Sequence, residues 1–492
     1  MILPFKRLFK DSIIYGISGV FEQFVGFLLL PVFTRIFSPS DYGIIDIITT
    51  GASITLIVLG MGLNSATQRY YFDTKTVEEK KTIVSTSFWF LGTISIITCT
   101  FLYFLAKDIS HVLFGHYEHV SIIKIAIIAI PITMLISYSK DALRLKFVPW
   151  KYNIVNIFFT LSRVGIIVYL VVILRKGIIG NFQGILLASL LTLILVIYYS
   201  RDLIKPKFSL HWLKPMLRYG IPLLFAGLAY WIVSLSDRII LLKLSTLEEV
   251  GLYSVGNKIS SIMFLVISAF SLAWAPFIFS HYKEKGSSRL IVKTLTYYTI
   301  ILLCISLLLS TFSFEILSII TTKEYLNATK VIGLLTLSLS FLGISGILAT
   351  GLTLSKKTKF ITLATFTAAG INIAFNFILI PKFNMVGAAL ATLISYFILS
   401  FLYYIFSQKC FPLQFELKKL LKIFILYGIF ITLSSLIILD NLLYGILLKI
   451  CIVSIFILLL FVFKIFDKNE IAYLKTSINQ IKNIVISRLK SN

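Results

Sequence analysis

Apolar runs of membrane-crossing length follow one another along almost the whole chain, separated by short charged loops. A helix needs roughly 20 apolar residues to span a bilayer. Fourteen stretches qualify: residues 12–34, 42–63, 83–105, 120–139, 153–174, 177–199, 217–240, 250–272, 291–312, 327–350, 358–380, 384–406, 421–439 and 442–463. The pattern predicts an all-α polytopic membrane protein with about 14 transmembrane helices. The first stretch follows Lys6, Arg7 and Lys10 and is longer than a signal-peptide core, so it reads as a retained helix.

Polar residues inside these spans recur at helical spacing. The second span carries Gly43, Asp46, Thr50, Ser53, Gly60 and Asn64, the first Glu22 and Gly26 with Gln23 beside them. The fifth has Asn156, Thr160 and Arg163, the eighth Ser254, Asn257, Lys258, Ser261 and Ser268, and the eleventh Thr365, Ala369, Asn372 and Asn376. Small and hydrogen-bonding residues of this kind pack transmembrane helices together. A charge at mid-membrane costs about 2.5–3.5 kcal/mol on insertion scales and therefore faces a cavity or a partner. Arg163 and Lys258, with Arg35 and Arg238 near one end, make a candidate cationic cavity. Glu22, Asp46 and Asp237 are candidates for ion coupling or for ion pairs with those bases, Glu22 with a basic residue of a neighbouring helix among them.

The chain also repeats itself at an offset near 203 residues. Thr34-Arg35-Ile36 corresponds to Asp237-Arg238-Ile239, Asn181-Phe182-Gln183-Gly184 to Asn384-Met385-Val386-Gly387, and Ala188 to Ala391. Six spans per half is an even number, which predicts parallel repeats: two six-helix lobes, residues 1–205 and 206–408. An appended two-helix hairpin occupies 409–466. The tail, 467–492, reads as an amphipathic cytoplasmic helix or a solvated segment, and residues 140–151 (Lys140, Arg144, Lys146, Trp150, Lys151) as a second interfacial helix. The bases do not obey the repeat: Arg163 corresponds to Phe366 and Lys258 to Thr55. The lobes share a scaffold but differ in chemistry.

Hydrophobic residues make up 58% of the chain and charged residues 14%, which excludes a soluble globular domain. The formal charge of +25 is unevenly placed. With a cytoplasmic N-terminus, 33 of the 46 Lys and Arg fall on the cytoplasmic side, 10 on the other, and Arg163, Lys258 and Lys449 within spans. That asymmetry orients the chain with both termini cytoplasmic. The charge therefore speaks for topology and anionic lipid contact, not for nucleic acid. There is no GxxxxGK[ST] loop, no disulfide or metal-ligand cysteine spacing, and no Ser/His/Asp set with positional logic. His111, His116 and His119 share a loop and read as ordinary loop histidines rather than a metal site. Transport without a cofactor, with proton or sodium coupling as an option, is the expectation, and an enzyme is not.

Three segments carry a family resemblance. They are Leu30-Pro31-Val32-Phe33-Thr34-Arg35-Ile36-Phe37-Ser38-Pro39-Ser40-Asp41-Tyr42-Gly43; Ser236-Asp237-Arg238-Ile239-Ile240-Leu241 followed by Val250-Gly251-Leu252-Tyr253-Ser254; and the stretch from Asn372 through Asn376 and Ile380-Pro381 to Gly387-Ala388-Ala389-Leu390-Ala391-Thr392. With these, the chain resembles the polysaccharide (Wzx-type) flippases of the multidrug/oligosaccharidyl-lipid/polysaccharide (MOP) exporter superfamily along nearly its whole length. The resemblance implies a fourteen-helix exporter in the plasma membrane (the inner membrane of a Gram-negative cell). It implies movement of an undecaprenyl-diphosphate-linked glycan to the outer leaflet for O-antigen, capsule or similar polymers. Its expected partners are that glycan, membrane lipids, and the glycan polymerase and chain-length machinery. A multidrug or small-cation antiporter, a peptidoglycan-precursor flippase and a non-transporting assembly scaffold are the alternatives. Tyr230, Trp231 and Trp274 are candidates for stacking on sugars or for anchoring at the lipid interface.

Overall fold

The structure is a computed structural model that describes residues 19–146, 148–282, 284, 286–436, 442–463 and 465. The expected tail helix, 467–492, lies outside the described residues, as do Lys6, Arg7 and Lys10. Among the described residues there are helices and no strands. The first half comprises α1 (Gly19–Ile36), α2 (Pro39–Gly60), α3 (Leu63–Asp73), α4 (Val77–Phe104), α5 (Val120–Leu145), α6 (Pro149–Val168) and α7 (Gly177–Ser200). The second begins with α8 (Leu210–Leu244), α9 (Leu247–Ser260), α10 (Ile262–His281), α11 (Ser287–Thr311), α12 (Thr329–Leu348) and α13 (Thr358–Cys410). A last pair, α14 (Leu417–Ser435) and α15 (Leu442–Val462), follows.

Local chemistry sets the helix starts. Ser38 caps α2: its hydroxyl accepts from the Asp41 N–H, the Asp41 carboxylate accepts from the Ser38 N–H at 3.0 Å, and Pro39 begins the helix. Thr76 and Thr246 cap α4 and α9, each hydroxyl accepting from the backbone N–H of a glutamate three residues on. Helix α2 stops where Met61 and Gly62 both take left-handed backbone conformations.

Among the described residues, twelve segments are long and apolar enough to cross a membrane, against the fourteen expected. One reason is α13. A straight helix of its 53 residues would be about 80 Å long, far beyond a bilayer. It instead breaks at Asn384, which is left-handed (φ 48°), three residues after Pro381. The two arms fold back on each other, so that Thr365 meets the Tyr403 hydroxyl at 3.2 Å and the rings of Phe360 and Phe406 lie 5.1 Å apart. The break frees the Met385 N–H, which donates to Glu249 at 3.0 Å. The other reason is α14, whose first turns carry Lys418, Lys419 and Lys422.

Two further expectations change. The eighth span, 250–272, is two helices divided at Ser261, beside Lys258. Residues 140–151 form no separate interfacial helix: α5 runs on to Leu145 and α6 starts at Pro149.

Packing repeats between the halves. Helix α4 packs on α5 and α5 on α7, as α11 packs on α12 and α12 on α13. Each half has its own apolar core, one around Leu91, Ile123 and Met134, the other around Met263, Leu302 and Leu352. A third cluster joins Leu30 and Ile47 to Leu241, Tyr253 and Ile380 across the seam, and a fourth seats α14 and α15 on α11. Phe101, Phe104 and Ile194 are left facing outward, as a lipid-facing surface requires.

Candidate functional site: a charged seam between the halves

The polar stripe of α2 faces α8 and α9 of the other half. At its Ser38 end, Gly43 packs against the Leu247 carbonyl and Gly251 against that of Pro39, so closely that a methyl group on either glycine would run into backbone. At the Met61 end, Gly62 and Gly220 approach each other just as closely. Only glycine permits such backbone contact. Between these two points the seam is polar. Trp231 donates its indole N–H to Ser53 Oγ at 2.8 Å. Arg238 donates through Nε to Asp46 at 2.8 Å and through a terminal nitrogen to Asp237 at 2.9 Å. The Ser254 hydroxyl donates to Asp46, and the Tyr253 hydroxyl to Asp237. Arg238 is 3% exposed and Asp237 1%, so this network is a buried tie between the halves rather than an open cationic wall.

A second group of charges stands beside it. Arg163 on α6 pairs with Glu22 on α1 at 3.7 Å. The Lys258 ammonium lies against Gly26, one turn along α1 from Glu22, within electrostatic range of Glu22, Asp46 and Arg163. Lys140, at the end of α5, donates to Asn156 on α6 at 2.7 Å and shares the fields of Glu22 and Arg163. Four helices, α1, α5, α6 and α9, thus bring three cations near one carboxylate, Asp46 being engaged by Arg238. Sequence reasoning missed Lys140, grouping it with the interfacial bases that follow it.

The remaining candidates fall elsewhere. Arg35 is exposed in the last turn of α1, apart from these groups. Trp274 is buried, donating to Thr350 at 3.0 Å and stacked on Phe270, and Trp231 is occupied as described; Tyr230 is exposed. His116 and His119 pack edge to face, His111 stacks on Tyr117, and among the described residues no set of three His, Cys, Asp or Glu is placed to hold a metal.

Behind Asp237 lies a third polar group. The Thr392 hydroxyl donates to Asp237 at 3.3 Å, and Ser236 and the Asn376 amide donate to Asn372 Oδ1 at 3.3 and 2.9 Å. Asn372 and Asn376 are fully buried, yet Asn376 Oδ1 and Asn372 Nδ2 have no partner among the described residues. Buried amide groups left so are costly unless something binds them.

Residues 32–330 match the family model described as "Polysaccharide biosynthesis protein". An Lsg locus protein of Haemophilus influenzae is 24% identical over 299 residues, covering 59% of this chain and 69% of that protein. The succinoglycan biosynthesis transport protein ExoT of Rhizobium meliloti is 24% identical over 317 residues, covering 63% and 62%. In fold, the chain is similar to the lipid II flippase MurJ in its inward closed conformation, with a TM-score of 0.73 over 90% of this chain and 98% of that one at 21% identity. With more than half its length matched by the family model, the chain belongs to the polysaccharide biosynthesis protein family.

Proposed function

We propose that this chain carries an undecaprenyl-diphosphate-linked oligosaccharide unit from the cytoplasmic to the outer leaflet by alternating access, for the assembly of a surface polysaccharide. The observation that carries the reading is the grouping of Lys140, Arg163 and Lys258 around Glu22 at the seam between the halves. Counted with Arg238 and its two carboxylates, four cations stand against Glu22, Asp46 and Asp237, and the net positive charge complements an anionic diphosphate diester. Arg163 adds the planar fork that grips phosphate oxygens in pairs. The names of relatives support the substrate class: one is a succinoglycan transport protein and one structural neighbour a lipid II flippase.

The Met61 end carries Lys75, Lys80, Lys81, Lys146, Lys205 and Lys207, and is the cytoplasmic end of this reading. The headgroup enters there and meets the cations while its lipid tail stays in the bilayer. It leaves at the Ser38 end, which avoids exposing the diphosphate to about 30 Å of hydrocarbon. The two glycine contacts are the gates: one must part while the other holds. A membrane potential negative inside favours outward passage of the anion by about 2.3 kcal/mol per charge per 100 mV. The oxygen-rich group of Asp237, Thr392, Asn372 and Asn376 is suited to a coupling sodium ion, a hard cation that takes oxygen ligands, or to a proton.

Deleting the gene and analysing surface glycan with lipid-linked intermediates tests the reading. Loss of one glycan, with its lipid-linked unit held on the cytoplasmic side, is the expected result. Unchanged glycan with new sensitivity to cationic drugs would move the chain to the antiporter reading.

A further inference from the structure

The Ser38 end is also bridged from outside the polar seam. The short helix Ala106–Phe114 belongs to the first half and closes on Gly115, which is left-handed (φ 81°). The end of a helix leaves carbonyls without partners. Lys243, in the last turn of α8 in the other half, supplies them: its ammonium donates to the Val112 carbonyl, and to that of Leu113 at 3.4 Å. A cation suits this position, because the aligned peptide dipoles leave negative charge there. Leu113 and Phe114 pack on the apolar cluster that joins the halves through Leu30, Ile47, Leu241 and Tyr253. The short helix is thus a strap from one half to the other, at the same end as the Gly43 and Gly251 contacts.

Two histidines form its root. His116 and His119, in the loop leading from the short helix into α5, lie edge to face with ring centroids 4.8 Å apart. The His119 ring is also edge to face with Phe114 at 4.8 Å. Three features of this packing oppose an imidazolium. Like charges so close repel. Position 119 is the N-cap of α5, the positive end of a helix dipole. Both nitrogens of an imidazolium are donors, yet His116 Nδ1 is buried with no hydrogen-bond partner among the described residues, the Glu118 carboxylate being 3.9 Å away.

The attractive charges are weaker. Glu118 is mostly exposed, and Asp41 at the start of α2 is already engaged by Ser38. Lys107, Asp108 and His111 of the short helix are exposed, His111 being stacked on Tyr117, and Lys124 of α5 lies over the Tyr103 ring. Burial and the neighbouring His116 accordingly hold His119 below the ordinary histidine value, against the opposing pull of Glu118 and Asp41.

We propose that this strap is an acid-released latch on the Ser38 end: protonation of His116 and His119 loosens the loop, withdraws Phe114 from the cluster between the halves and lets them part there. The sign follows from linkage. The freed loop takes up protons at the ordinary value of about 6.5, and the closed loop only below it. The latch therefore holds above about pH 6.5 and weakens as the pH falls below that. It acts whatever the cargo; only its placement on the outer face, where acid outside would favour the outward-open state, rests on the function proposed above.

Electron–electron distance measurements on the full-length protein in lipid nanodiscs test this. Nitroxides go on Val112→Cys and Ile319→Cys in a background lacking the four native cysteines. Val112 rides on the strap. Ile319 belongs to the short helix Ser313–Ile320 of the other half, whose last carbonyl meets Thr34 at 3.4 Å; both positions are exposed. At about pH 7.5 the pair should give one short distance. At about pH 5.5 a longer population should grow several-fold, and it should vanish when the pH is restored. His116→Gln combined with His119→Gln should abolish that response. Lys243→Met, which removes the bridging ammonium at similar length, should show the longer population already at the higher pH. One distance at both pH values, a distance that shortens in acid, or a response that survives loss of both histidines would each overturn the latch. The labelled parent alone decides the direction if either variant fails to fold. No cargo enters the measurement, so its failure is distinct from failure of the transport reading.

Discussion

Arg238 on α8 reaches Asp46 on α2, 192 residues earlier in the chain, with its Nε 2.8 Å from the carboxylate. The same guanidinium holds Asp237 of its own helix at 2.9 Å. One cation therefore serves two carboxylates and ties the halves together at the level where a substrate would pass. No other base bonds Asp46 among the described residues, so under the proposed alternating access this tie breaks and re-forms.

The network predicts unequal effects from its two ends. Asp46→Ala leaves Arg238 with Asp237, while Arg238→Ala strands two carboxylates, Asp237 buried and Asp46 partly exposed. Breaking a buried pair from one side costs about 3–5 kcal/mol. Arg238→Ala should lie in that range and Asp46→Ala below it, read as loss of thermal stability in detergent. Small and equal losses would mean that water reaches the pair and that it is no tie.

The cations predict a transport phenotype. Arg163→Ala, Lys258→Ala and Lys140→Ala should each reduce surface glycan at least tenfold at normal expression, with folded protein retained. Arg163→Lys should recover part of the loss, since it keeps charge without the fork. Glycan export intact in both Arg163→Ala and Lys258→Ala would remove the cationic cavity from the mechanism.

How much of this the sequence carried depends on the distance over which the signal acts. The α2 stripe of Gly43, Asp46, Thr50 and Ser53 is legible because helical spacing is local, and it does face the other half. Its partners are not legible: nothing in the sequence says that Arg238 meets Asp46 rather than an open cavity, because that depends on how two halves dock. Lys140 was hidden by its neighbours, since Arg144, Lys146 and Lys151 made the stretch look interfacial. Only the continuation of α5 to Leu145 turns it toward Asn156. The broken eighth span was lost to averaging, as a hydropathy window passes over Asn257, Lys258, Ser260 and Ser261 without registering a bend. The pairing of Lys449 with Glu315, between helices far apart in the chain, is marked by no periodicity.

The two glycine contacts predict opposite biases. Gly251→Ala places a methyl against the Pro39 carbonyl and should prise open the Ser38 end; Gly220→Ala does the same to the Met61 end through the Met61 carbonyl. In a background lacking the four native cysteines, Lys258→Cys reports access to the seam. A membrane-impermeant thiol reagent added outside cells should label it several-fold faster with Gly251→Ala, and reagent supplied to inside-out vesicles several-fold faster with Gly220→Ala. If both variants merely lose folded protein, the contacts are packing and not gates.

Coupling makes the last prediction. Asp237 and Thr392 share one buried hydrogen bond and Asn372 and Asn376 another, and Asn376 Oδ1 has no partner among the described residues. A ligand that binds only the folded state raises its stability by an amount that grows with ligand concentration. Sodium at about a hundredfold above its dissociation constant would add roughly 2.7 kcal/mol, a shift of several degrees in thermal unfolding. Potassium, larger and bound by the same atoms at longer range, should add less. Asn376→Ala removes one oxygen and should abolish the sodium effect while leaving Arg238 and its two carboxylates in place. A melting temperature indifferent to sodium, but dependent on pH in a way that Asp237→Asn removes, would assign the site to a proton instead. Indifference to both sodium and pH would confine Asp237 to its bond with Arg238.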